Sequence, residues 1–238
     1  MATFVQTNVG LYWGGYSLAS TFNAIGLNLS NSLQDDTVYG DTFQSNAGGL
    51  SSVSLEGEGY WDSTNDSILE SSISVGAAET VVTVTPVDQA AGSPAIFSKI
   101  TTSEYNPFAN GTVGEMLAFR VSGEGRGEKA VSGEIFVTPG TTRTTSGTSL
   151  PNQLGAVTST QGIYSALHVL SASGTLDVVI KSDSDISFGS PDTRITHTQF
   201  TAIGAEMLSQ LGTNADTWWR ADFTISGSFD FIVSLAII

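Results

Sequence analysis

The sequence predicts a mainly β protein, and three observations carry the prediction. Val, Ile, Thr and Ser recur throughout the 238 residues while Lys and Arg together number only 8, a balance that suits pleated strands better than long solvated helices. The 26 glycines are spread along the chain, as turns between short strands require. Residues 53–61 alternate strictly: Val53, Leu55 and Trp61 share one face, and Ser54, Glu56, Glu58 and Tyr60 share the other.

In chain order, strands are expected at 53–61, 80–86, 95–103, 114–123, 129–138, 162–171, 176–182, 194–200, 218–226 and 229–237, lengths that fit a sandwich or barrel. Two short helices are candidates. Asn65 or Asp66 caps one that runs through Ile68, Leu69 and Ile73; Ala202 to Leu211 offers Ala, Glu, Met, Leu and Gln with Gly212 placed to stop it. Residues 139–151 are polar, uncharged and without apolar period, and read as a linker or long loop. This divides the chain into a first β domain, 1–138, and a second β-sandwich-like domain, 152–238. No internal repeat of 20 to 50 residues is visible.

Composition excludes several functions. The net charge is -15, from 23 acidic and 8 basic residues. Static nucleic-acid binding, which needs clustered cations to displace phosphate counterions, does not fit, and neither does an anionic lipid surface. With no cysteine, disulfide frameworks, thiolate nucleophiles and Cys-ligated metals are ruled out. An apolar content of 40% with 12 Phe, 4 Trp and 6 Tyr supplies a core, which sets the chain apart from disordered sequences. Residues 1–10 show neither a basic nor an apolar leader region and no run approaches a membrane span, so export by the common route is not expected. The sequons at Asn28, Asn65 and Asn110 are then chance matches in a Ser/Thr-rich chain.

Catalytic constellations are missing. His168 and His197 each sit in a strand-like run and read as structural, and no nucleophile elbow, zincin pair or P-loop occurs. Asp183-Ser184-Asp185 with Gly189 lacks the third ligand, glycine spacing and final Glu of a calcium loop, and reads as a solvated turn. Gly123-Glu124-Gly125-Arg126-Gly127-Glu128 carries acids where a pyrophosphate would sit, and reads as a flexible hairpin tip. Glu56 and Glu58 lie side by side on one strand, which does not straddle a glycoside. Trp218 and Trp219 project to opposite faces, so one of them is a candidate interface anchor. No cofactor or metal is expected.

One stretch carries a resemblance. A strand-like start at Tyr16-Ser17-Leu18 leads to a long loop with Asp35-Asp36-Thr37-Val38-Tyr39-Gly40-Asp41-Thr42, and then Gly49-Leu50 enters the alternating strand. This resembles the tail tube (major tail) proteins of long-tailed bacteriophages, and the likeness continues through Pro94-Ala95-Ile96-Phe97, Tyr105 and Gly114-Glu115-Met116, over residues 1 to about 130. Leu167-His168-Val169-Leu170, Thr193-Arg194-Ile195-Thr196 and Asp216-Thr217-Trp218-Trp219-Arg220 resemble later parts of similar tail proteins.

The resemblance implies a tail-tube-like β-sandwich or barrel with a short helix plus a second β-rich region, and homo-oligomeric rings, commonly six-fold. These would stack into the tube of a virion tail, assembled in the host cytoplasm with other tail proteins, through which DNA passes without static binding. It places Glu56 and Glu58 toward the lumen, makes the 31–48 loop, with Asp35, Asp36, Thr37, Tyr39, Gly40 and Asp41, the ring-stacking element, and leaves Trp218 and Trp219 as interface aromatics. The competing reading is a carbohydrate-binding or surface-exposed β-sandwich module with Trp13, Trp61, Trp218 or Trp219 as sugar platforms.

Overall fold

The computed structural model of the chain describes residues 9–39, 42–74, 78–125, 127 and 129–238. Its elements are β1 (Gly10–Trp13), β2 (Tyr16–Ser17), β3 (Phe22–Asp35), β4 (Asn46–Tyr60), α1 (Ser63–Ser72), β5 (Thr80–Thr85), β6 (Pro94–Asn110), β7 (Ala118–Gly125), β8 (Val131–Val137), β9 (Gly147–Thr148), β10 (Asn152–Gln153), β11 (Gly162–Asp183), β12 (Asp192–Thr196), β13 (Gly204–Leu211) and β14 (Trp218–Ile237). The class is the expected one, mainly β with antiparallel pairing.

The chain divides into two compact units, and their boundaries are not the expected 1–138 and 152–238. Residues 1–20, 80–98 and 131–238 form the first unit, and residues 21–79 and 99–130 the second. The 139–151 segment lies inside the first unit. There Arg143 exchanges backbone hydrogen bonds with Phe229, β9 pairs with Asp222 and Phe223, and Ser149 donates its N–H to the Ala221 carbonyl. Thr and Ser with little apolar content read as linker in sequence, but each such residue still offers a backbone donor and acceptor, and β14 takes them up.

In the first unit β11 pairs with β14 along nearly their whole lengths. Each reads in sequence as two strands, and the interruption has a local cause. Gly174 and Gly227 face each other in the register, at φ 104° and φ 115°, so the ribbon kinks at a point where neither strand ends. A register shift at Val169/Ser171 adds to the bend. Side chains from both sides of the kink share one core: Leu167, Val169, Phe231 and Val233 from one half, and Val178, Ile180, Trp219 and Ala221 from the other. The neighbours change there too. β13 lies along the first half of β11 and β12 along the second. The candidate helix at 202–211 is thus strand β13; eight ladder positions against β11 and the burial of Met207 outweigh its helix-forming residues.

In the second unit the strand order is β3, β4, β7, β6. The alternation in 53–61 holds: Val53 and Leu55 are buried, while Glu56, Glu58 and Tyr60 are exposed. The strand ends at Tyr60, and Trp61 is exposed. Gly57 and Gly59 occupy buried positions because there is no room for side chains. A Cβ at Gly57 would overlap the Phe22 ring, and one at Gly59 the Thr21 carbonyl oxygen. The space goes to the edge-to-face pair Phe22 and Phe119, 5.0 Å between centroids. Helix α1 forms where the first candidate helix is expected, with Asp62 as its cap, accepting from Thr64 and Asn65 N–H. It buries Leu69 and is tied to β6 by Tyr105, whose hydroxyl donates to Asp66 at 2.5 Å. Burial and that neighbouring carboxylate raise the Tyr105 pKa.

Candidate functional site

Three solvent-facing surfaces of the second unit are candidates, and cross-strand register places each of them. The outward face comes first. Pairing sets Glu58 between Ala24 and Arg120, and Glu56 between Gly26 and Ser122, while Glu104 and Glu124 join from β6 and β7. The result is an open trough of about 500 Å³ lined by Glu56, Glu58, Glu104, Arg120 and Ser122. Arg120 reaches Glu58 at 2.6 Å with both side chains about half exposed, a pair of small energetic weight. Four carboxylates and this one guanidinium give the face a negative potential. Glu104, Arg120 and Glu124 escape a reading of 53–61 alone. Their signal is the charge-glycine alternation of Glu124-Gly125, which repeats that of Glu56-Gly57-Glu58-Gly59, and which belongs to strand β7, not to the expected hairpin tip.

The second surface is the β3–β4 hairpin. Both ends of the expected 31–48 loop are ladder, since Asn31 pairs with Ser51, Leu33 with Gly48 and Asp35 with Asn46. On β3 from Asn28 onward, and on β4 up to Ser52, the described side chains are exposed on both faces. Leu29, Leu33, Val38, Tyr39, Phe43 and Leu50 all stand in solvent, Phe43 and Leu50 at 85%. The tip is held by its own polar groups: Asp35 accepts from the Thr37 N–H at 2.9 Å, and Thr37 bonds to Ser45 in both directions. The hydrogen bonds from Thr37 to Asp35, helped by one from Gln44, lower the Asp35 pKa. Asp36 and Tyr39 are exposed on this tip; Gly40 and Asp41 lie outside the described residues.

The third surface is the outer edge of β3. Its one described ladder is with β4, and from Phe22 to Gln34 it has no charge and no proline. Natural edge strands normally carry such features to block pairing with another chain.

The remaining sequence candidates resolve differently. Trp219 is fully buried, its indole N–H donating to the Gly155 carbonyl at 2.9 Å, so it anchors its own core and not an interface; Trp218, on the opposite face, is half-buried. Trp13 is also buried, which leaves Trp61 and Trp218 as the tryptophans a sugar could reach. His168 is fully enclosed, its Nδ1 on the Gly14 carbonyl and its Nε2 on the Thr83 hydroxyl, both at 2.7 Å. Burial lowers its pKa to about 4. It is therefore the neutral tautomer that donates from Nδ1 and accepts at Nε2.

One arrangement was not legible in sequence. Ser165 Oγ lies 3.0 Å from His197 Nε2, and His197 Nδ1 lies 2.9 Å from Glu206 Oε2, the order of a serine hydrolase relay. Ser165 is fully buried within the sheet and His197 almost so, so no acyl group can reach the hydroxyl, and the chain of bonds serves to satisfy polar groups in the core. The His197 hydrogen bond, helped by Thr198, lowers the Glu206 pKa. Asp183 and Asp185 accept from the Asp185, Ser190 and Ser187 N–H groups as turn caps, and among the described residues no three His, Asp or Glu gather as metal ligands.

No family model and no curated protein matches the chain. Among solved structures it is similar to a chain of the virion of a native gene transfer agent particle, at 14% identity and TM-score 0.38 over 45% of this chain and 82% of that one. It is likewise similar to a chain of the extended sheath-tube complex of an extracellular contractile injection system, at 11% identity and TM-score 0.38 over 53% and 88%. A third similarity, to the Dit protein of SPP1, described as a hub adsorption apparatus of Gram-positive infecting phages, has 9% identity and TM-score 0.37 over 98% of this chain and 100% of that one.

Proposed function

We propose that the chain is a non-enzymatic structural subunit of a bacteriophage tail, closing into six-fold rings that stack into a tube through which DNA passes. The observation that carries the reading is the β3–β4 hairpin. A two-stranded arm exposed on both faces is marginal in water on its own, and this one adds six large apolar side chains and an uncharged free edge. Such a surface is built to be covered by another chain. Pairing of the β3 edge with a different edge of the next copy is heterologous, and a heterologous contact whose rotation closes yields a ring. Cyclic symmetry then repeats Glu56, Glu58, Glu104 and Glu124 as an acidic belt, which repels phosphate and lets duplex DNA slide.

The test is twofold. Electron microscopy of the purified chain is expected to show rings or tubes; a monodisperse monomer at high concentration would overturn the reading. Glu56→Lys with Glu58→Lys is expected to fold and assemble, since exposed strand positions tolerate charge and the Glu58–Arg120 pair contributes little. In virions the double variant should slow DNA ejection at low salt, with the delay shrinking as salt rises, because each new phosphate contact adds about 0.9 to the logarithmic salt slope. Normal ejection at low ionic strength would remove this face from the lumen.

A further inference from the structure

The second unit carries a second apolar exposure, and it lies at the other end of β4. The β6–β7 connection closes over the end of that strand: Tyr60 pairs with Ala118, Asn110 pairs with Ala118, and the Trp61 N–H donates to the Leu117 carbonyl at 2.8 Å. A turn with Glu115 N–H on the Thr112 carbonyl at 3.0 Å and Gly114 at φ 97° shapes the loop. Four apolar side chains are left in solvent there: Trp61, Phe108 (66%), Val113 (104%) and Met116 (67%). None of them lines the acidic trough or lies on β3.

We infer that this foot, formed by Trp61, Phe108, Val113 and Met116, is the seat for the hairpin tip, Val38, Tyr39 and Phe43, of a second copy in the next ring. The inference rests on the ring-stacking reading and names the surface it requires. The two patches sit at opposite ends of one strand. Asn46 to Tyr60 spans roughly 46 Å at about 3.3 Å per residue, so a chain cannot bring its own tip to its own foot. A second copy displaced along the strand direction can, and the same displacement leaves its own tip free for a third. The contact is therefore heterologous and open along the axis, which is what stacking demands, whereas edge pairing closes sideways. Both partners are apolar loops around aromatic side chains, Tyr39 and Phe43 against Trp61 and Phe108, the residue types that dominate interface energy.

The absence of cysteine from the chain makes the test clean. A Tyr39→Cys chain and a Val113→Cys chain are mixed, assembled and oxidised, and compared with Tyr39→Cys mixed with Thr160→Cys, Thr160 being exposed in the first unit. The expected result is a disulfide-linked dimer at least about tenfold more abundant than in the Thr160 control, and a ladder of multimers when both changes are in one chain. Tyr39→Ser with Phe43→Ser, shown folded by circular dichroism, should give rings that stack at least about tenfold more weakly. Rings or tubes in the micrographs with cross-linking no greater than in the control, or Tyr39→Cys linking mainly to itself, would overturn the tip-to-foot contact and leave the tube reading standing. If no rings or tubes form with the unmodified chain, both fall together.

Discussion

Replacing Gly174 by alanine is expected to cost about 2 to 6 kcal/mol of stability, and Gly227→Ala a similar amount. Two effects add. Each residue holds a φ above 100°, a region that L side chains rarely adopt, at about 1 to 3 kcal/mol of strain. Each Cβ would also drive into the opposite strand, from Gly174 into the Ser226 carbonyl oxygen and from Gly227 into that of Ser173. Backbone in a paired ladder has no rotamer by which to yield, so overpacking adds about 1 to 3 kcal/mol. Domain stabilities are commonly about 5 to 15 kcal/mol, so either change consumes a large share. Urea unfolding followed by tryptophan fluorescence measures it, Trp219 reporting the core that the kink closes. A loss under about 1 kcal/mol would show that the ribbon can bend without glycine.

The second large effect is a loss of stability on mild acidification, from His168. Its folded pKa of about 4 lies below the unfolded value near 6.5, so between these values the unfolded chain binds the proton and the folded chain does not. The stability from keeping this imidazole neutral is complete above pH 6.5 and drains away as pH falls toward 4. At about 1.4 kcal/mol per pH unit, about 2 kcal/mol should be lost between pH 6.5 and 5. Below that the lowered carboxylates, Glu206 among them, begin to contribute in the same direction as they protonate. Proton NMR should find the His168 ring still neutral in the folded protein at pH 5.5. A ring that titrates near 6.5 would mean that the pocket formed by Gly14 and Thr83 opens on its own.

How much of this was legible depended on whether the cause was local. The alternation in 53–61 needs only the two-fold period of a strand, and the exposed Glu56 and Glu58 and buried Leu55 follow from it. Helix α1 announced itself through Asn65 and Asp66, one turn late, because the cap is Asp62. The 202–211 segment misled because its helix propensity is real but its eight positions against β11 are tertiary. Likewise the 139–151 stretch looked unpartnered, since its partner is β14, some 70 residues on. At the site, the tip residues Asp35, Asp36, Thr37 and Tyr39 were marked by their sequence, whereas Arg120, Glu104 and Glu124 join Glu56 and Glu58 only through strand register. Trp218 and Trp219 showed that one must face the core but not which. That choice was settled by Gly155, whose carbonyl receives the Trp219 N–H.

The division of the chain has a mechanical consequence. The second unit is made of two segments, 21–79 and 99–130, and each begins and ends in a residue contiguous with the first unit. Tension applied at the chain ends runs through β1 and β2 from one side and through β14 back to β8 from the other before it reaches the β3–β4–β7 ladder. Those strands are held by pairing within the first unit. The arm-bearing unit is thus shielded from a pull along the chain until β1 or β8 gives way. A stretch transmitted sideways through the free edge of β3 meets no such protection, because it loads β3 directly and tests the β3–β4 ladder alone.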